Sequence, residues 1–293
     1  MLWSFSLVAP CLGLIPRSPQ EQTKRAIASI KSAIEENRNN DSDNKPCRLY
    51  VDYLVPIPPE TNEADVDPWP GGLAQMYPYA EDILSDILYG VVDEPNGKCT
   101  SQVISASDCC GLLIQESKTS AKNDIAAILF PGVDQLDTIE QIESMVGKER
   151  TLLIFNKQFQ RPSDFGFNLM SGGPFGGGGG SNTGGNTKAD KLIFNQYKYG
   201  FAFQEFACRG EDTKLVYEHP TGWYSCVICD EDVDLGRREI ELLPTSKEDE
   251  RPDYKSLEKK IGEVLPEPLW MRKMGEAETK GLKFQRGGGS GGN

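Results

Sequence analysis

The first clear periodicity in this chain is a helical stripe between residues 18 and 39. Apolar residues recur there at spacings of three and four, at Ala26, Ile27, Ile30, Ala33 and Ile34. Ser18 can cap the helix, Pro19 suits the first helical position, and Glu21 stands where a capping box requires it. The pattern predicts an amphipathic helix that ends at the polar run 39–45.

Apolar segments alternate with further helical stripes up to residue 156. Strands are predicted at 47–55, 101–107, 124–132 and 150–156, and helices at 73–88 and 134–147. The better strand segments are almost continuously apolar, which predicts that both of their faces are buried. Such runs alternating with helices are typical of a parallel sheet that is covered on both faces.

The pattern changes in the last third of the chain. Strand-like segments at 191–208, 213–230 and 238–244 follow one another with short polar turns and no helices between them, which favours antiparallel pairing. A last helix is predicted over 251–265. The predicted fold class is α/β, a mainly parallel sheet with helices on both faces, extended by antiparallel strands in the C-terminal half.

One α/β domain over 16–265 accounts for these elements. We expect a leader-like or disordered segment at 1–15 and a polar, partly disordered tail at 266–293. The apolar start of the chain contains Pro10, Gly13 and Pro16 and has no basic residue before Arg17, so it is a poor signal anchor. Other segments fall short of the roughly 20 apolar residues of a spanning helix, and we predict no transmembrane span.

A glycine tract interrupts this domain at 171–188. A phosphate-binding loop places Lys directly after Gly, between a strand and a helix. Here Lys188 follows Thr187, and the next segment is strand-like. We therefore predict a flexible insertion, with phosphate binding as the alternative.

Composition narrows the classes of partner. The 293 residues include 31 basic and 44 acidic ones, a net charge of −13, which disfavours nucleic acid and anionic membrane surfaces by long-range repulsion. Eight irregularly spaced cysteines fit a reducing compartment better than a disulfide scaffold.

Two stretches resemble metal sites. Cys226 and Cys229 have the spacing of zinc or redox ligands, but residues three apart in a strand face opposite sides, and we predict small buried side chains. Asp230, Asp232, Asp234 and Glu241 match positions of a calcium loop, but Leu235 replaces its glycine, and the flanks are strand-like rather than helical. An acidic hairpin turn is predicted, with calcium as the alternative.

Catalytic signatures such as GxSxG or HExxH are absent from the sequence, and His219 is its single histidine. With no second histidine to act as base or ligand, we interpret His219 as a turn residue before Pro220. The sequence predicts no catalytic residues and no cofactor.

The order of the predicted helices and strands resembles that of a known protein family. The capped helix at 16–34, the strand at 48–58, the segment 124–142, "RTLLIFN" and finally "KYGFAFQEF" and "LVYEHPTGWYSCV" resemble the plastid domain-of-unknown-function family DUF1995 over roughly Pro16 to Ile261. That family includes the Low Photosystem II Accumulation assembly factor of plants and algae and a domain fused to a chloroplast adenylate kinase.

The resemblance implies a non-enzymatic auxiliary factor in the chloroplast, in the stroma or peripherally on the thylakoid. Its expected partners are photosystem II subunits or assembly factors, and no nucleic acid. The family supplies no agreed catalytic residues to transfer.

An alternative function follows from fold class alone. Doubly wound sheets hold nucleotides or sugar phosphates at the carboxyl ends of their strands. Pro131, Gly132, Asn156 and Lys157 follow the two best strands, so they would form the rim of such a site in an enzyme. This inference is an analogy between folds.

Overall fold

The computed structural model describes residues 15–39, 46–58, 69–161, 164, 188–230, 237–242 and 251–279. These residues contain the strands β1 (Arg48–Asp52), β2 (Thr100–Ser105), β3 (Cys110–Gln115), β4 (Ile125–Leu129), β5 (Thr151–Phe155), β6 (Lys198–Cys208), β7 (Glu211–Glu218), β8 (Gly222–Asp230) and β9 (Arg237–Leu242). The helices are α1 (Pro19–Asn39), α2 (Gly72–Val91), α3 (Leu136–Val146), α4 (Tyr254–Val264) and α5 (Leu269–Thr279). No helix within these ranges is both long and apolar enough to cross a membrane.

The strands follow the order β2-β3-β4-β5-β1-β6-β7-β8-β9. The chain divides into two compact units. We call Pro16–Gln204 with Tyr217–Thr221 the N-terminal unit, and Met1–Ile15, Glu205–Val216 and Gly222–Asn293 the C-terminal unit.

The N-terminal unit is built on parallel strands. β1 pairs in parallel with β5 on one side and β6 on the other, and β4 pairs in parallel with β5. An antiparallel extension, β2 and β3, continues the sheet beyond β4. β1 is therefore a central strand, and its five residues are all buried.

Helices cover both faces of this parallel part. On one face Leu49 lies beside Gly200 and Ile30 of α1, and α2 packs against α1. On the other face Tyr50, Leu152 and Ile154 join Ile139 and Ile142 of α3 in a buried cluster. This layering confirms the predicted fold class.

The C-terminal unit is antiparallel where β8 meets β9, with Val227 opposite Ile240. The apolar side of helix α4 packs against β8 and β9, where Leu257 and Ile261 share a buried cluster with Val227 and Leu242. The side chain of Asp253 caps α4 by accepting a hydrogen bond from the Ser256 N–H at 2.7 Å.

One local prediction differs from the structure, and two observed elements were not predicted. The predicted strand at 191–208 is wrong at its start, since Asp190–Phe194 is π-helical and β6 begins at Lys198. The two unpredicted elements are β3 and α5. β3 contains Gly111, a residue that strands disfavour; the Tyr77 hydroxyl oxygen packs closely on it, since a Cβ there would lie 2.1 Å away, and a larger residue would require Tyr77 to move.

Predictions for the apolar start at 1–14, the tail beyond 279 and the glycines at 172–185 fall outside the described residues. The lysine nearest the tract is described. Lys188 Nζ lies 2.6 Å from Asp137 Oδ1 and 2.8 Å from Glu140 Oε2, both on α3. Hydrogen bonds to these carboxylates raise the Lys188 pKa.

Candidate functional site

The chain leaves β1 and β5 toward opposite faces of the sheet. α2 follows β1 and lies on the α1 side, whereas Ile193, after β5, belongs to the buried cluster of α3. Adjacent parallel strands whose connections diverge in this way form a topological switch point, where doubly wound folds hold ligands. The predicted rim residues Asn156 and Lys157 lie at this point.

Asn156 joins the ends of β1 and β5. Its side-chain Oδ1 accepts a hydrogen bond from Tyr53 N–H at 2.5 Å, and its Nδ2 donates to the Tyr53 carbonyl at 2.8 Å. Its backbone has φ 50°, a left-handed conformation that Asn tolerates better than most residues. The amide therefore fastens the chain that follows β1, and both of its polar atoms have partners.

The backbone polar groups of Pro131 and Gly132 also have partners within the protein. The Pro131 carbonyl accepts from Gln158 N–H at 2.9 Å. The Gly132 N–H donates to Gln135 Oε1 at 2.7 Å, and Gln135 Nε2 donates to Asp108 at 2.8 Å. A phosphate loop offers its backbone N–H groups to the ligand, whereas this turn bonds the Gly132 N–H to its own glutamine.

Lys157 turns into the protein at the switch point. Its side chain is 4% exposed, and its Nζ lies 3.4 Å from Asp52 Oδ2 and donates to the Tyr199 hydroxyl at 3.0 Å. The same ammonium lies 4.8 Å from the centre of the Tyr50 ring and 5.1 Å from that of Tyr199. Gln204 Nε2 also donates to Asp52 Oδ2, at 2.6 Å. We call Tyr50, Asp52, Lys157, Tyr199 and Gln204 the strand-end cluster.

The polar row continues along β1 because alternate residues of a strand share a face. Arg48, two residues before Tyr50, is 3% exposed. Its Nε donates to Glu143 Oε2 at 2.6 Å, and its other nitrogens donate to the carbonyls of Cys47, Gly147 and Arg150. One guanidinium thus ties β1 to the C-terminal end of α3, where a positive charge is favoured.

Two tyrosines connect Arg48 to the strand-end cluster. Tyr197 donates its hydroxyl to Glu143 and stacks on Tyr50 with ring centres 5.2 Å apart. Burial raises the pKa of both phenols, and the nearby carboxylates Asp52 and Glu143 raise them further. The Tyr50 hydroxyl has no hydrogen-bond partner among the residues that the structure describes.

The chemistry of this cluster is that of a structural ion-pair network. The Lys157 ammonium is buried between two rings and paired with a carboxylate, and Asp52 already accepts from Gln204. Such groups satisfy one another's charge and hydrogen-bonding needs in the interior. The Lys157 ammonium, which an incoming anion would need as a hydrogen-bond donor, is already bound to Asp52 and Tyr199.

The metal candidates are only partly described. Asp232, Asp234 and the side chain of Asp230 lie outside the described residues, while Glu241 lies on β9. Cys226 is buried on β8, and the Cys229 side chain is not described. Within the described ranges, no group of three His, Cys, Asp or Glu side chains is arranged to hold a metal ion. His219 lies at the predicted turn, and its Nε2 is 2.7 Å from Glu36 Oε2 on α1.

The C-terminal unit presents a different kind of surface. Trp270, Met271 and Met274 on α5 are exposed by 61%, 45% and 45%. Beside them is an open recess of about 610 Å³, lined by Arg209, Gly210, Glu258, Pro268, Leu269, Trp270 and Lys273. We call the three exposed side chains together with this recess the α5 surface. Clustered exposed apolar side chains of this size are typical of interaction sites.

Sequence reasoning missed both the β1 row and the α5 surface. The signal for the first was the alternation of Arg48, Tyr50 and Asp52 within a strand whose remaining residues are apolar. The signal for the second was Trp270 with two methionines inside a segment interpreted as a polar tail. The rim prediction did identify Lys157, but not its partner Asp52.

Comparison with known proteins gives a family. No curated protein and no solved structure matches the chain. The model of a family described as a domain of unknown function, DUF1995, matches residues 16–259, which is most of the chain. The chain therefore belongs to the DUF1995 family.

Proposed function

We propose that this chain is a non-enzymatic auxiliary factor that acts through contacts with other proteins. The observation that carries the proposal is the contrast between its two polar–aromatic regions. The switch point, where an enzyme of this fold class would bind its ligand, has its lysine buried and paired. The α5 surface has large apolar side chains turned to solvent.

The proposed setting is the chloroplast, in assembly or stability of photosystem II. This part rests on the resemblance to a plastid family that includes an assembly factor. Membership in the DUF1995 family supports it only at the level of the family. The net charge of −13 favours protein partners over nucleic acid.

Affinity purification from plastids tests the proposal. Tagged protein is expected to co-purify with photosystem II assembly intermediates, and its loss is expected to lower their accumulation while photosystem I stays unchanged. A tagged stromal protein of similar size and charge serves as the control. Normal levels of photosystem II complexes in a clean knockout would contradict the proposal.

A further inference from the structure

Among the described side chains of α5, Leu269 and Arg272 contact the rest of the C-terminal unit. Arg272 forms an ion pair with Glu211 of β7, whose side chain is 2% exposed, and the side chain of Leu269 lies over Gly210. Trp270 and Met274 are four residues apart, so they are neighbours on the helix surface, and both are exposed. The helix is therefore held by Leu269 and Arg272 while a tryptophan and two methionines remain in solvent.

The charge around this face is less negative than that of the whole chain. Residues 251–279, which include α4 and α5, carry six Lys or Arg residues and six Asp or Glu residues, whereas the chain as a whole carries −13. Arg209 and Lys273 line the recess together with the single carboxylate Glu258. A recess lined by two cations and one carboxylate attracts an acidic partner locally and orients it during encounter.

We propose that the α5 surface binds an acidic segment of a partner protein that carries at least one large apolar side chain. The apolar side chain enters the recess beside Trp270, and carboxylates of the segment face Lys273 and Arg209. Tryptophan and arginine dominate the energetics of many interfaces, and methionine adapts to varied apolar shapes. This inference rests on the proposed function, because it names the kind of protein contact involved.

The shape of the site favours a peptide over a membrane surface. The recess of about 610 Å³ is open to solvent, and its lining includes Leu269 and Trp270, so one apolar side chain of a bound segment can lie in it. An anionic bilayer would also repel a protein of net charge −13.

The test uses a random twelve-residue peptide library displayed on phage and panned on the purified full chain. Enriched peptides are expected to carry net negative charge and at least one Leu, Phe or Trp. A synthetic peptide of the enriched sequence should lose about tenfold or more in affinity for Trp270→Ala and for Lys273→Glu, measured by fluorescence polarisation. Tyr89→Ala and Lys148→Glu are the matched controls, since both residues are exposed on the N-terminal unit, and they should leave the affinity unchanged.

Four outcomes overturn the proposal. The first two are enrichment of basic peptides and peptide binding that Trp270→Ala does not weaken. The third is that the chain binds phosphatidylglycerol vesicles more tightly than the peptide and that Trp270→Ala abolishes the vesicle binding. The fourth is concentration-dependent self-association of the chain that Trp270→Ala abolishes. The last two assign the surface to a membrane or to a second copy of the chain.

A second arm separates this inference from the proposed function. If the tagged Trp270→Ala, Lys273→Glu double variant still co-purifies with photosystem II intermediates, the α5 surface is not the contact and the inference fails alone. If the wild-type chain binds acidic peptides through Trp270 but never co-purifies with photosystem II, the inference holds and the photosystem II assignment fails.

Discussion

The strand-end cluster and the α5 surface are built from similar residues, yet they relate to solvent in opposite ways. In the cluster, Lys157 is 4% exposed and lies between the rings of Tyr50 and Tyr199. On the α5 surface, Lys273 is exposed and Trp270 keeps 61% of its surface in water. Each region therefore combines a lysine with aromatic rings, and burial is what distinguishes them.

Burial decides what such a combination can do. A buried ammonium must be paired, because desolvating an unpaired charge costs several kcal/mol. Asp52 and Tyr199 supply that pairing for Lys157, so its charge is balanced inside the protein. An exposed lysine keeps its charge available to a partner, and an exposed tryptophan keeps apolar area that binding can remove from water.

The largest effect is expected for Arg48→Ala. The variant leaves Glu143 buried without its arginine and removes the donors to three carbonyl groups of the β1–α3 junction. We expect the free energy of unfolding to fall by about 3 to 5 kcal/mol, measured by urea denaturation. Arg38→Ala is the control, since that exposed side chain donates a hydrogen bond to Asn123 Oδ1 at 2.9 Å on the surface, and its loss should cost less than about 1 kcal/mol. If Arg48→Ala and Arg38→Ala lowered the free energy of unfolding equally, the burial of Arg48 would not determine its contribution to stability.

Breaking the Asp52–Lys157 pair is expected to lower the free energy of unfolding somewhat less than Arg48→Ala does. Asp52→Ala leaves the Lys157 ammonium buried, for a loss of about 3 kcal/mol, whereas the double variant Asp52→Leu, Lys157→Met should recover most of that loss. The exposed pair of Asp137 with Lys188 is the control, because its atoms are closer, at 2.6 Å, yet Asp137→Ala should cost less than about 1 kcal/mol. A double variant as unstable as Asp52→Ala would contradict the pairing argument.

Local patterns in the sequence predicted much of this fold, and its polar interior was harder to predict. One half of the predicted capping box is observed, since the Ser18 hydroxyl accepts from Glu21 N–H, whereas the Glu21 carboxylate accepts from Arg17 N–H instead of Ser18 N–H. Apolar runs placed β4 and β5 correctly. Capping and periodicity act over a few residues, so one sequence is enough to read them. The Asp52–Lys157 pair joins residues 105 positions apart, and only the parallel pairing of β1 with β5 brings them together.

The C-terminal segment was harder to interpret for a different reason. The apolar residues Trp270, Met271 and Met274 of α5 lie at helical spacing but within a short segment, and they are exposed rather than buried. A pattern search that equates apolar with buried overlooks them. Structure was needed to show that Leu269 and Arg272 face the unit while Trp270 faces solvent.

Alkaline pH should lower the free energy of unfolding through the buried tyrosines, by less than the Arg48 and Asp52 substitutions do. Burial raises the pKa of Tyr50 and Tyr197, so each phenol favours its protonated form in the folded state. Stability from each is fully present below the unfolded pKa of about 10 and falls as pH rises, by about 1.4 kcal/mol per pH unit per group. The double variant Tyr50→Phe, Tyr197→Phe should therefore lose less stability between pH 10 and 11 than the wild type, measured by urea denaturation at each pH. An unchanged slope would mean that neither phenol is coupled to folding.

The two tyrosines should respond to removal of their hydroxyl groups with opposite signs. Tyr197→Phe removes the donor to Glu143 and should destabilise the protein by about 1 to 2 kcal/mol. Tyr50→Phe removes a buried hydroxyl that has no partner in the described residues and should stabilise it by about 1 kcal/mol. Both variants keep the stacked rings, so each is the control for the other in thermal and urea unfolding at pH 7. Destabilisation by Tyr50→Phe would indicate that its hydroxyl is bonded after all.

The smallest effect on stability is expected for Trp270→Ala, the variant that should matter most for binding. The side chain already exposes 61% of its surface in the folded chain, so truncation removes little buried area. We expect the free energy of unfolding to change by less than about 0.5 kcal/mol, while the affinity for an acidic peptide falls about tenfold. Trp223→Ala is the contrast, because Trp223 is 5% exposed and its loss should cost about 3 kcal/mol or more. If Trp270→Ala destabilised the protein as strongly as Trp223→Ala, the ring would be part of a packed core, and the α5 surface would belong with the strand-end cluster as structure.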